Sequence, residues 1–325
     1  MNSSSSFPKE QLKQAGESEL GRQFGAWRRM LAECGRKPSR RRVHALRVAT
    51  LRLQARTEHC LNRLGEDDST GRVVRRWNKQ ADKLRNALSL VRETDVHLAK
   101  LNQLRRSVGT PDEDHSRLNR ICLSQIATVE GRLERTRRSA ANKLGDEIEK
   151  RRGRLARLSK EIAQSPMLGK LLTMPSDKSE RFSLIAGLAA DANSLNARSL
   201  HEYRKRIKTV RYLAEMAADD DALAARQVTA LRTMQSAVGE WHDRQSLSKE
   251  VSAIRKGRQR EGELVDLLRT LAGESFERAL EVCRRTITRL LEESYKRPSS
   301  VKELPARRPV QEAELPGGLS RSRYA

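Results

Sequence analysis

Apolar residues recur along most of the chain at the three- and four-residue spacing of one helix face, and no stretch alternates as a strand does. In LHEYRKRIKTVRYLAEM (200–216), this stripe consists of Leu200, Tyr203, Ile207, Val210 and Ala214. Two further stripes contain Leu46, Thr50, Leu53 and Thr57, and then Trp77, Ala81, Leu84, Leu88, Val91 and Leu98. The pattern therefore predicts an all-α fold.

The same periodicity predicts where each helix lies. Pro38 and Ser39 mark one helix start, and Ser199 followed by Glu202 predicts a capping box at another. A long basic helix is expected to run from SVGTPDEDHS to about Ile162, with Gly145 and Gly153 as candidate interruptions. The other predicted helices span about 17–33, 39–64, 72–106, 181–195, 199–217, 221–256 and 261–294.

Polar and irregular stretches divide the chain. Residues 1–16 are rich in serine, and residues 296–325 combine proline, glycine and charge without periodicity. We therefore predict a disordered N-terminus and a flexible C-terminal tail. SPMLGKLLTMPSDKSE (165–180) is expected to be a linker, which places a first helical half at 17–175 and a second at 176–295.

The chain also repeats itself. VHALRVATLRLQ (43–54) matches LHEYRKRIKTVR (200–211), with an apolar residue, histidine and arginine on the same helical phase. On the next long helix of each half, LSLVRETDVHL (88–98) matches VGEWHDRQSLS (238–248). Two matched pairs in the same order predict an internal duplication.

Charge narrows the range of partners. Lys and Arg total 66 against 42 Asp and Glu, so the formal net charge is +24. Such a field attracts polyanions such as nucleic acid, inorganic polyphosphate and anionic membrane surfaces. Aromatic residues make up only 3% of the chain, which argues against base-stacking platforms.

A stripe of cations lies beside the apolar stripe of residues 200–216. Arg206 lies on another side, where it is expected to pair with Glu202 four residues before it. The remaining cations are expected to have no acid within reach on their own helix, whereas a solvated surface usually mixes both signs. The stripe therefore indicates a bound anion, and its members are His201, Arg204, Lys205, Lys208 and Arg211.

The His-x-x-Arg helix starts, the RETDV stretch and the later VGEWHD stretch together resemble the CHAD domain, the conserved histidine α-helical domain, over roughly residues 17–294. The resemblance implies two antiparallel four-helix bundles, related by a pseudo-two-fold axis, whose basic helices face a shared groove. It also implies a non-catalytic module that binds inorganic polyphosphate and is found on intracellular polyphosphate granules. No strand-rich acidic segment typical of a CYTH domain is present, so we expect a standalone CHAD domain.

The anion is expected to contact cations at two helix starts. Three arginines in the first turn of a helix oppose its dipole, and a bound anion would offset that cost. Arg is suited to bidentate contact with phosphate, and Lys acts as a point charge. The predicted polyphosphate-binding residues are Arg40, Arg41, Arg42, His44, Arg47, Arg85, Arg92, His201, Arg204, Lys205, Lys208 and Arg211.

The two halves are expected to contribute unequally. Positions that are charged in the second copy are apolar or neutral in the first: Val48 matches Lys205, Leu51 matches Lys208 and Gln54 matches Arg211. The two histidines of the matched helices are expected to hydrogen-bond phosphate or a neighbouring acid. The carboxylates of Asp95 and Asp243 lie on or near apolar stripes, so they are expected to orient arginines or histidines.

Two alternative functions compete with this interpretation. The basic stretch GRLERTRRSAANKLGDEIEKRRGRLARLSK could follow a nucleic-acid backbone without sequence preference, although it interleaves acids. The order His201, His242-Asp243, Asp266 also imitates a metal-dependent phosphohydrolase of the HD type. We favour binding without catalysis, cofactor or metal, because the surrounding cations would repel a metal ion.

The remaining features concern the location of the protein. Its four cysteines form no CxxC pair and show no zinc-ligand spacing, so we expect reduced, partly buried thiols. No apolar run is long enough to cross a membrane, and the N-terminus has no apolar signal core. We therefore expect a soluble, monomeric, cytoplasmic protein that associates with polyphosphate granules and does not insert into membranes.

Overall fold

The structure is a computed structural model that describes residues 19–64, 68–108, 116–173, 178–219, 221–255 and 262–295, and these ranges contain helices and connecting turns without any strand. The all-α prediction is therefore confirmed for this part of the chain. The helices are α1 (Glu19–Arg36), α2 (Arg40–Leu61), α3 (Ser69–Val108), α4 (Ser116–Ala163), α5 (Pro166–Thr173), α6 (Lys178–Ala192), α7 (Ser199–Glu215), α8 (Ala222–Arg255) and α9 (Glu263–Tyr295).

The apolar stripes form three cores. The first core joins α1 to α5, and Trp77 at its centre meets the edges of Phe24 and Trp27 at centroid distances of 5.2 and 5.6 Å. The second core joins α6 to α9 and contains the buried face of α7. The third core lies where the last turns of α3 and α8 meet the first turns of α4 and α9. The predicted stripes on α2 and α7 are buried throughout.

The predicted linker at 165–180 contains a helix, so that part of the prediction is wrong. Ser165 Oγ accepts a 3.4 Å hydrogen bond from the backbone N–H of Leu168, and Pro166 occupies the first helical position. A serine cap followed by proline is a favoured helix start. Leu168 is fully buried in the first core, and this contact anchors α5 there.

Helix α4 runs through both glycines that were candidate interruptions. Gly145 lies against α1, because a Cβ built there would be 4.0 Å from the carbonyl oxygen of Gly35. A Cβ on Gly35 would in turn lie 3.0 Å from Cγ2 of Ile148. The glycines therefore permit a close approach of α1 to α4 and do not break the helix.

Two helix pairs hold the first and second cores together. Arg52 of α2 lies 3.4 Å from Glu215 of α7, measured from Nε to Oε2. Between α3 and α8, Lys100 pairs with Glu240, and Ser246 Oγ donates a 2.7 Å hydrogen bond to Glu93 Oε1. Polar contacts therefore fix α2 against α7 and α3 against α8.

Several predictions fall on residues outside the described ranges. The predicted disordered N-terminus at 1–16 and the predicted tail at 296–325 both lie outside them. The boundary between the predicted halves, at 175 and 176, also lies outside them.

Candidate functional site

A cavity of about 280 Å³ lies where α2, α3, α7 and α8 meet. Its position follows from the apolar stripes, since each stripe turns one face into a core and leaves a flank toward the junction. On α7 the flank carries Arg204, Lys208 and Arg211, one turn apart, followed by Tyr212. Three of the five residues of the predicted cationic stripe therefore form one wall.

The first copy contributes a different wall. On α2, His44, Arg47, Val48 and Leu51 line the cavity, so this wall changes from charged to apolar within two turns. Arg47 Nε donates a 3.3 Å hydrogen bond to Ser89 Oγ of α3. The lining of α2 therefore carries fewer cations than the lining of α7, and the predicted inequality of the two halves in binding stays a prediction.

Like charges crowd the centre of the cavity. Burial lowers the pKa of Lys208 to about 7, and repulsion by Arg204 and Arg47 contributes to this shift. Burial also lowers the pKa values of Arg47 and Arg204. The Nε of Arg204 is buried and has no hydrogen-bond acceptor among the described residues. A buried donor without a partner is costly, so the cavity favours an anionic ligand.

One part of the cavity wall is acidic and histidine-rich. Asp243 Oδ1 lies 3.6 Å from His242 Nδ1, and the His242 ring stacks on His201 at a centroid distance of 5.3 Å. Burial opposes ionisation of Asp243, but His242 and Arg204 outweigh it, so the pKa of Asp243 is lowered. Asp243 therefore lies beside His242 and Arg204, but His242 Nδ1 has no hydrogen-bond partner among the described residues, so the orienting role of Asp243 stays a prediction.

Helix α3 lines the cavity next to Asp243 and His242 with His97 and Glu93. His97 Nε2 lies 3.2 Å from Ser246 Oγ, which also donates to Glu93. Burial lowers the pKa of His97 despite the nearby acids. Since the serine proton is directed to Glu93, the His97 ring donates to the hydroxyl, and the three side chains connect α3 to α8.

The start of α2 is tied to the neighbouring helices by two arginines, Arg40 of α2 itself and Arg137 of α4. Asp95, which is buried, accepts a 2.8 Å hydrogen bond from Arg137 Nε of α4. Arg137 Nη2 also donates to the carbonyl of Pro38 at 2.9 Å, and Arg40 donates to the carbonyl of Asp95. Arg40 and Arg137 therefore anchor the start of α2 to α3 and α4.

Several other predicted residues lie outside the cavity wall. Arg41 is exposed, and Arg42 Nε lies 3.9 Å from Glu33. Arg85 pairs with Asp82 at 2.8 Å. Lys205 is exposed and pairs with Glu202 at 2.8 Å, while His201 reaches the cavity only by stacking on His242. The predicted residues that line the cavity are His44, Arg47, Arg92, Arg204, Lys208 and Arg211.

Three local predictions on α7 are wrong. Ser199 bonds to the backbone of Asn196 instead of forming a capping box, although α7 does begin at Ser199. Arg206 pairs with Asp191 of α6 and not with Glu202. Finally, acids on α7 do reach its cations, since Glu202 pairs with Lys205 and Glu215 pairs with Arg211.

Sequence reasoning missed several polar and aromatic lining residues. Tyr212 of α7, Gln235 and Ser246 of α8, and Ser89 of α3 all line the cavity. A weak signal existed for Ser89, because it matches Gly239 in the repeat. The other three are uncharged, and although Tyr212 and Ser246 lie within quoted segments, only the packing of helices reveals their position.

The described residues contain no group of three or more His, Cys, Asp or Glu side chains that could hold a metal ion. The cysteines Cys34, Cys60, Cys122 and Cys283 are free and buried. Among the helices of the described ranges, none is long and apolar enough to span a membrane.

Comparison with known proteins adds one match. A model of the CHAD domain family matches residues 18–252, which include α1 to α7 and most of α8. No curated protein and no solved structure matches the chain.

Proposed function

Because the chain belongs to the CHAD domain family, which is known for polyphosphate binding, we propose that it binds inorganic polyphosphate in the cavity between α2, α3, α7 and α8. Polyphosphate carries about one negative charge per phosphate and no base, so a row of cations is sufficient to bind it. Binding occurs without turnover, by a monomer, and directs the protein to polyphosphate granules.

The observation that carries this proposal is the crowding of Arg47, Arg204 and Lys208. These three side chains come from facing helices, lie in a partly desolvated cavity and repel one another. Asp243 offsets only part of this charge. A protein maintains such repulsion at a cost in stability, and a bound polyanion removes that cost.

We further propose that the chain is an internal duplication and that the cavity is the basic groove between its halves. The matched helices are α2 with α7 and α3 with α8, and each helix contacts its own counterpart at the junction. A pseudo-two-fold axis places equivalent elements together in this way. The arrangement supports two antiparallel bundles, α1 to α4 and α6 to α9, with α5 between them.

The binding role is favoured over a phosphohydrolase for an electrostatic reason. His242 and Asp243 lie beside Arg204, whose charge disfavours a divalent cation at the same place. Asp266, the third member of the HD-like order, pairs with Arg269 at 3.3 Å near the start of α9. Asp266 does not line the cavity, so Asp243 is the one carboxylate of the HD-like order that does.

Direct competition between long-chain polyphosphate and DNA at physiological salt tests the proposal. We expect polyphosphate to displace DNA when the two are compared per phosphate, without release of free phosphate. Lys208→Met should weaken polyphosphate binding, whereas Lys79→Met, which removes an exposed charge from α3, should change it little. Equal losses from both variants, or equal competition by DNA, would contradict binding in this cavity.

A further inference from the structure

The cavity has an apolar wall that a chain of phosphates does not require. Val48 and Leu51 lie one turn apart on α2, and both are half-buried and line the cavity. Val96 of α3 and Tyr212 of α7 also line it. Arg204 and Lys208 line the same cavity from α7, so one space contains both a cationic and an apolar surface.

This combination suits a ligand with two chemically different parts. Phosphates gain from charge-assisted contact with Arg and Lys and gain nothing from aliphatic side chains. A nucleoside has flat, weakly polar faces that release water when they pack against Leu, Val or Tyr. Small-molecule sites typically combine an apolar lining with a few convergent polar groups, in cavities of about this size.

Polar groups near the apolar wall fit the edge of a base. Gln235 Oε1 accepts a 2.8 Å hydrogen bond from Arg211 Nε, and the amide nitrogen of Gln235 has no acceptor among the described residues. Gln235 and Ser246 lie eleven residues apart on α8 and both line the cavity, which corresponds to about 16 Å along the helix. That length accommodates a phosphate chain and a nucleoside end to end.

We propose that the cavity binds nucleoside polyphosphates, with the phosphates on Arg204 and Lys208 and the nucleoside against Val48, Leu51 and Tyr212. This inference rests on the proposed anion-binding function, because it assigns the phosphates to the same cations. A single base requires only one apolar wall, so the low aromatic content of the chain does not oppose it.

Calorimetric titration with ATP and with inorganic tripolyphosphate, without divalent ions, tests the inference. Both ligands carry three phosphates, so a difference in affinity reports the nucleoside. We expect ATP to bind about tenfold more tightly than tripolyphosphate. Leu51→Ala should remove most of this difference and leave tripolyphosphate binding unchanged. Leu90→Ala is the matched control, since Leu90 is 48% exposed and does not line the cavity.

Two further variants separate this inference from the proposed function. Val48→Thr is nearly isosteric, so it keeps the junction packed while making the wall polar, and it should weaken ATP binding selectively. Lys208→Met should weaken both ligands. Equal affinities of the wild type for ATP and tripolyphosphate, or equal losses of both in Val48→Thr, would overturn the inference. Unchanged tripolyphosphate binding in Lys208→Met would instead overturn the proposed polyphosphate site.

Discussion

Arg211 Nε of α7 donates a 2.8 Å hydrogen bond to Gln235 Oε1 of α8, and the same guanidinium pairs with Glu215. Its plane also lies over the Tyr212 ring, with Cζ 4.2 Å from the centroid. Arg211 lines the cavity, yet its guanidinium is already held by Gln235 and by Glu215, a carboxylate that it shares with Arg52 and Arg232. Among the three cations that replace the neutral positions of the first copy, Lys208 is the one that lines the cavity without an ion-pair partner among the described residues, so we expect it to contribute most to anion binding.

Separate substitution of Lys208 and Lys205 should have unequal effects on polyphosphate affinity. Lys208→Met is expected to weaken polyphosphate binding by at least about tenfold, because a charge-assisted contact contributes roughly 1.5–3 kcal/mol. Lys205→Met should change it less than twofold, since Lys205 is exposed and pairs with Glu202. Affinity measured across a salt series should also show a shallower salt dependence for Lys208→Met, by about 0.7 per lost contact. Equal effects of the two substitutions would place the anion outside the cavity.

Polyphosphate affinity should fall as the pH rises above neutrality. In the free protein the pKa of Lys208 is about 7, because burial and the charges of Arg204 and Arg47 outweigh Asp243. A bound polyanion raises this pKa. Above pH 7 the amine of Lys208 is therefore neutral in the free protein and gains a proton on binding, whereas at lower pH it is already protonated and gains none. The expected decrease between pH 7 and 9 is up to about tenfold per unit. Long-chain polyphosphate is the suitable ligand for this measurement, because its terminal phosphates, which also change protonation in this pH range, are a small fraction of the chain.

The control for this pH dependence is Lys208→Met. Without the amine, the decrease above pH 7 should disappear, although the affinity is lower throughout. Calorimetry in buffers of different ionisation enthalpy measures the proton uptake directly. A wild-type protein that binds without proton uptake at pH 8 would show that Lys208 does not contact the anion.

The same residue should reduce the stability of the unliganded protein. Lys208 has a lowered pKa in the folded state, so the unfolded chain binds more protons between about pH 7 and the ordinary lysine pKa of about 10.4. The contribution of Lys208 to stability therefore increases with pH across that window. Lys208→Met should raise the free energy of unfolding at pH 7 by about 1–3 kcal/mol. A destabilised variant would indicate that the amine has a stabilising partner.

The sequence predicted the buried faces well, because helical periodicity depends only on neighbouring positions. The apolar stripe from Leu200 to Ala214 is buried, and Arg47, Arg204 and Lys208 line one cavity as their flank positions suggested. The hydrogen-bond partners that a neighbouring helix provides could not be predicted. Arg40 bonds to the carbonyl of Asp95, and this contact depends on the packing of α2 against α3.

Glu215 holds three arginines from three helices. Its carboxylate is 3.4 Å from Arg52 Nε and 3.0 Å from Arg232 Nη2, and it also pairs with Arg211. Glu215→Gln should lower the free energy of unfolding by about 2 kcal/mol, because the buried guanidinium of Arg211 loses its counter-charge. Glu202→Gln breaks an exposed pair with Lys205 and should change the free energy of unfolding much less. Urea denaturation compares them, and equal costs would contradict this role for Glu215.

The approach of α1 to α4 gives a prediction that is independent of any ligand. A Cβ at Gly35 would lie 3.0 Å from Ile148 Cγ2, whereas a Cβ at Gly153 would meet no atom within 4 Å. Gly153→Ala should therefore stabilise the protein by about 0.5–1 kcal/mol through helix propensity. Gly35→Ala should destabilise it by about 1–3 kcal/mol, since the added methyl group must displace a packed side chain. Both variants alter one glycine of a helix, so thermal unfolding followed by circular dichroism isolates the steric effect. Stabilisation by both substitutions would mean that α1 lies farther from α4 than Gly35 and Gly145 indicate.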